Sequence, residues 1–182
     1  MPPPKKKAKT GNINNIRSNE DIRQAIDTWC EKQEECIKIY GHISRWNTSK
    51  VTDMNRLFYQ KEDFNDDISN WDVSNVTTME GMFKEARSFN QPIGNWDVSK
   101  VKSMKFIFEE ARSFNQPIGN WDVSKVKSME CMFKYASSFN QSIGSWNVRN
   151  VTRMQYMFWE AAEFAYKNEV ALWNLTNEDC DY

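Results

Sequence analysis

The nineteen residues ARSFNQPIGNWDVSKVKSM at 86–104 recur letter for letter at 111–129, 25 positions later. Shifting the chain against itself by 25 extends the register in both directions. Trp46, Trp71, Trp96, Trp121 and Trp146 align, as do Val51, Val76, Val101, Val126 and Val151. Met54, Met79, Met104, Met129 and Met154 form a third column, and Phe58, Phe83, Phe108, Phe133 and Phe158 a fourth. A second phenylalanine column runs Phe64, Phe89, Phe114, Phe139 and Phe164, followed by Asn65, Asn90, Asn115 and Asn140. A fixed period of this size implies one supersecondary unit per repeat, none able to bury its apolar face until a neighbour stacks on it.

Within a unit the step from Trp96 to Val98 suits a short strand, and Val101, Met104, Ile107, Phe108 and Ala111 follow at helical spacing. The sequence therefore predicts an α/β repeat solenoid, each coil a short parallel strand, a tight turn and a short helix. The return bend falls at Asn90 to Gly94, where proline fixes φ and glycine accepts the conformations a turn requires. Recurring apolar columns read as core, and stacked asparagines as partners for backbone groups in successive turns.

Once aligned, the units FNQPIGNWDVSKVKSMKFIFEEA and FNDDISNWDVSNVTTMEGMFKEA resemble the BspA-like leucine-rich repeats, a class first described as a domain of unknown function in mycoplasma surface proteins. The pattern W-D-V-S-x-V-x-x-M-x-x-M-F-x-x-A-x-x-F-N covers about residues 39–164. The resemblance implies a right-handed, leucine-rich-repeat-like coil used for binding, and members of the family are typically surface or secreted interaction proteins. It brings no catalytic motif.

The flanks divide the rest of the chain. Residues 1–17 read as a flexible basic arm whose MPPPKKKAKT has no apolar pattern, with Lys6, Lys7 and Lys9 in the K-K-x-K form of a nuclear import signal. Residues 18–38 read as an N-terminal cap helix, opened by a Ser18–Asp21 capping box and striped by Ile22, Ala25, Ile26, Trp29, Gln33 and Ile37. Five 25-residue repeats occupy 39–164, and 165–182 hold a partial sixth repeat and an acidic tail. A strand at Trp173 with an open edge would permit self-association.

Eight Trp and eleven Phe in 182 residues supply a core, while the formal net charge of −1 names no partner. The four cysteines form no CxxC pair and read as reduced, structural thiols. No apolar run approaches the roughly 18 residues of a membrane span, and no secretory signal is seen, so the expected location is intracellular, the nucleus included. His42 is the one histidine, and neither a catalytic constellation nor a metal or cofactor site is expected.

Function would then sit on exposed side chains. Residues alternating with the core form a ladder of Asn70, Asp72 and Ser74; Asn95, Asp97 and Ser99; Asn120, Asp122 and Ser124; and Ser145, Asn147 and Arg149. Each Asp can cap its own turn, or the ladder can recognise a partner. Lys100, Lys102, Lys125, Lys127, Arg149 and Arg153 form a nearby basic stripe able to contact anions. The reading is a non-enzymatic scaffold for an unknown protein partner. A BspA-like surface adhesion module is the alternative. Weak nucleic-acid binding through the stripe and the lysine arm ranks below both, because no aromatics interleave the exposed cations.

Overall fold

The computed structural model describes residues 16–165 together with 170 and 173. Its N-terminal part holds α1 (Ile22–Glu31) and α2 (Gln33–Tyr40), followed by a 3-10 turn at Ile43–Arg45. The single cap helix expected over 18–38 is broken at Lys32, whose φ of −144° ends α1. Ile22, Ala25, Ile26 and Trp29 of α1 are buried as the stripe required, but past the break Cys36 turns inward and Ile37 faces solvent. The Trp29 indole donates to Asp66 Oδ2 at 2.7 Å and Lys61 pairs with Asp27, joining the cap to the first repeat. The capping-box reading holds in one arm, the Ser18 backbone N–H donating to Asp21 Oδ1 at 2.8 Å.

The array itself departs from the α/β expectation. Among the described residues from 46 to 164 there is neither a strand nor an α-helix, only turns joined by isolated parallel bridges that run Asp53 to Thr78 to Ser103 to Ser128 to Arg153. This is not an α/β solenoid of parallel strands. The segment read as a helix, 101–111, fails as one because Phe106 and Glu110 sit at φ of 61° and 57°, outside the right-handed region. Its backbone bonds alternate instead. The N–H groups of Met104, Phe106, Phe108 and Glu110 donate to the carbonyls of Ser128, Glu130, Met132 and Lys134 in the next coil, at 2.8–3.0 Å. Those of Ile107, Glu109 and Ala111 donate back to Met104, Phe106 and Phe108.

Each coil is thus a ribbon of successive four-residue turns, the third residue of alternate turns being left-handed. A four-residue turn repeat places apolar residues at i, i+3, i+4 and i+7, the same spacing a helix uses, which is why the pattern reads as helical. The core decides between them. Phe58, Phe83, Phe108, Phe133 and Phe158 stack with centroids 5.4–5.7 Å apart and planes within 3–12°. An α-helix is about 10 Å across, so a helix in every coil would hold those rings too far apart to touch. The second column, from Phe64 to Phe164, stacks at 5.9–6.1 Å. Within coils the two columns meet at 3.9–4.2 Å, as in Phe108 with Phe114 at 3.9 Å.

Polar groups stitch the coils from inside. Trp71, Trp121 and Trp146 donate their indole N–H to the carbonyls of Ile43, Ile93 and Ile118 in the preceding coil. The asparagine column behaves as read: Asn65, Asn90, Asn115 and Asn140 each accept, through Oδ1, the backbone N–H of the residue 25 positions on. Gly94 serves a different purpose from the one expected. A Cβ there would lie 2.3 Å from the Pro117 carbonyl oxygen, so space between coils, not turn conformation, requires glycine.

Two stability predictions follow from this packing. Gly94→Ala should lower the unfolding free energy by about 1–3 kcal/mol, because its methyl must push coils apart against backbone. Asn115→Ala strands the Asn140 N–H and should cost about 1 kcal/mol, with Asn115→Asp closer to wild type because it keeps the acceptor. Urea titration followed by tryptophan fluorescence measures both.

Candidate partner-binding face

The turns after each tryptophan form a ridge along the stack. Each begins with an aspartate or asparagine whose side chain bends back on its own backbone: Asp72, Asp97 and Asp122 accept the N–H of Ser74, Ser99 and Ser124, each at 3.0 Å. Asn47 does the same for Ser49 at 3.0 Å, and Asn147 for Arg149 at 3.4 Å. These side-chain turns are what Asp and Asn favour. The structural role foreseen for the Asp column is therefore present, although each turn leads into a turn ribbon and not a helix. The Ser99 hydroxyl and then its N–H hold the Asp97 carboxyl below its ordinary range, and Ser124 does the same for Asp122.

One oxygen of each carboxylate is committed to the turn, yet the ridge stays open to solvent. Asn70, Asp72, Asn95, Asp97, Asn120, Asp122, Ser145, Asn147 and Arg149 are exposed, and Ser74, Ser99 and Ser124 partly so. The basic stripe follows each of these turns directly along the chain, and its residues are exposed. The Lys127 N–H donates to the Lys102 carbonyl and the Thr152 N–H to that of Lys127, which sets the two lysines in register on adjacent coils. Lys100 and Lys125 occupy the neighbouring column, Lys100 Nζ reaching Asn75 Oδ1 at 2.7 Å. Arg153 continues the bridge column from Ser128.

The turn ribbon presents a second surface. Two of its columns change from coil to coil, reading Arg56, Gly81, Phe106, Cys131, Tyr156 in one and Tyr59, Lys84, Glu109, Lys134, Trp159 in another, although Gly81, Cys131 and Glu109 are buried. Lys84 pairs with Glu109 at 2.7 Å and Lys105 with Glu130 at 2.8 Å, so much of this surface neutralises itself. Tyr135 and Tyr156 are 38% and 42% exposed, with Lys134 Nζ 5.3 Å and 6.0 Å from their ring centres. These positions were not singled out from the sequence, although the contrast between constant and changing columns was there to be read.

Other sequence-derived candidates sit apart. Lys6, Lys7 and Lys9 lie outside the described residues, as does most of the 165–182 segment, where Trp173 stacks on Trp146 at 6.2 Å. His42 accepts the Ser44 N–H through Nδ1 and packs edge-on against Trp29. Cys30, Cys36 and Cys131 are free thiols that burial pushes up to about 11, too high for an activated nucleophile. Among the described residues no helix is long and apolar enough to cross a membrane.

The depressed carboxyls give a pH dependence of definite sign. Each contributes stability above its unfolded value near 3.8, and that contribution is lost as pH falls through the lower folded value. Asp97→Asn with Asp122→Asn keeps the turn acceptors and should flatten the loss of stability between about pH 4 and pH 2, measured by thermal melts across that range.

Comparison with known proteins adds a family. A family model described as mycoplasma protein of unknown function, DUF285, matches residues 30–130 and again 93–180. No curated protein and no solved structure matches the chain. The two matches together span most of the sequence, and the chain belongs to this family of unknown function.

Proposed function

We propose that the protein is a non-enzymatic binding array of the BspA-like type, acting inside the cell on a protein partner through the ridge of turns that follows each tryptophan. The observation that supports this reading is the repeated Asp-to-Ser turn on coils two, three and four, at 3.0 Å each time. It fixes a row of exposed Asn, Asp and Ser groups before any partner arrives. A surface ordered in advance loses less conformational entropy on binding, and such preorganisation raises affinity without added area. The identical letters in these coils suit a partner that is itself extended and repetitive.

The family's function is unknown, so it supplies no activity to carry over, while Cys36 and His42 are engaged in packing and turn formation. An adhesion module exposed at a surface would use the same array, and cell fractionation separates the two locations.

The decisive variant is Asp72→Asn, Asp97→Asn and Asp122→Asn combined, which retains the turn acceptors while removing three charges. Affinity capture from lysate of the source cells, followed by mass spectrometry, should show altered capture of a specific partner with this variant while tryptophan fluorescence reports a folded array. A partner set unchanged both in this variant and in one lacking the ridge cations Lys102, Lys127, Arg149 and Arg153 would contradict the assignment of the ridge as the binding face.

A further inference from the structure

The charges of the array are distributed unevenly between its two surfaces. On the turn ribbon, Lys84, Arg87, Lys105 and Arg112 all have carboxylates within 4 Å, from Glu62, Glu109, Glu110 and Glu130. On the ridge, none of Lys100, Lys102, Lys125, Lys127, Arg149 and Arg153 has one among the described residues. Residues 97–103, 122–128 and 147–153 carry these six cations against only Asp97 and Asp122. The corresponding turns of the first two coils, 47–53 and 72–78, hold Lys50 against Asp53 and Asp72. Positive charge therefore accumulates toward coils three to five.

Like charges aligned on paired backbones, about 4.8 Å apart, repel one another. Lys102 and Lys127 are held in that alignment by the Lys127 N–H to Lys102 carbonyl bond. Cations exposed in a row without internal counter-charges gain most from an external anion, which steers association as well as stabilising the complex.

We propose that the ridge of coils three to five docks an extended acidic polypeptide segment, its carboxylates meeting Lys102, Lys127, Arg149 and Arg153. The proposal rests on the ridge being the binding face and adds the chemistry of the partner. A polypeptide fits better than a nucleic acid for two reasons. Asp97 and Asp122 stand in the same row and repel a continuous phosphate backbone, whereas a peptide can donate its own N–H groups to them. The ridge also lacks the aromatic platform on which bases stack, its apolar members Val98, Val101, Val123 and Val126 being buried and Val148 and Val151 packed against the core. Lys100 and Lys125 follow those aspartates by three residues, and Lys100 Nζ is already held by Asn75 Oδ1 at 2.7 Å, so Lys102, Lys127 and the two arginines are the principal contacts.

The probe is a fluorescent, end-blocked peptide of about eight glutamates, long enough to cross three coils, titrated into the full chain at about 50 mM and about 300 mM salt. Binding is expected at the lower salt and weakened at the higher. Lys102→Gln, Lys127→Gln, Arg149→Gln and Arg153→Gln combined should reduce affinity roughly tenfold or more. The control Lys105→Gln with Lys134→Gln, on the turn ribbon, should leave it unchanged. No binding at low salt, equal loss in both variants, or tighter binding of an oligothymidylate of matched charge would each overturn the proposal. A cellular partner lost by the triple Asp→Asn variant but kept by the four-cation variant would overturn the acidic partner alone and leave the binding face standing. A partner kept by both would remove the face as well.

Discussion

The spacing of stacked phenylalanines governs this molecule. Rings recurring every 25 residues meet at 5.4–5.7 Å, and everything in a coil must fit within that rise. Aromatic pairs contribute about 0.5–1.5 kcal/mol each beyond the area they bury, and two such columns run the length of the array. A backbone that served these columns had to be thin. Turns meet that demand by sending every second N–H of the ribbon to the next coil and the intervening ones back three residues. The same division of hydrogen bonds ties coil to coil although the described residues hold no strand.

That solution has a conformational cost. Arg56, Gln60, Glu85, Phe106, Glu110, Cys131, Tyr135, Tyr156 and Glu160 all adopt left-handed backbone, disfavoured for L-residues by roughly 1–2 kcal/mol each. Gly81 holds the same column without the steric penalty. Those from Arg56 to Tyr135 persist there because their N–H groups close the bonds to the next coil. The exposed lettering of the ribbon is therefore a consequence of the register that the core imposes.

Much of the core was legible in the sequence. Every member of the two Phe columns and of the Trp column from Trp46 to Trp146 is buried, and the asparagines accept the backbone bonds that stacking suggested. The backbone path was not legible, because Val101, Met104, Ile107, Phe108 and Ala111 satisfy a helix and a chain of four-residue turns equally well. Only the distance between coils distinguishes them, and one coil does not contain that distance. Gly94 carries the same lesson: its need for glycine comes from Pro117, one coil away. At the ridge, the Asp turns could be read locally from their sequence, whereas the unpaired state of the lysines depended on where the glutamates of the ribbon face came to lie. The ion pairs that occupy those glutamates join residues 25 apart, as in Lys84 with Glu109 and Lys105 with Glu130.

The claim on which the account rests is that the coils from 46 to 164 are turn ribbons hydrogen-bonded to their neighbours and not helices. Nuclear Overhauser contacts of the Phe106 amide in the folded chain test it directly. The account predicts contacts from Phe106 to Glu130 and Cys131, together with couplings diagnostic of positive φ at Phe106 and Glu110. A continuous series of helical contacts between residues three and four apart over 101–111, without contacts to the next coil, would contradict it.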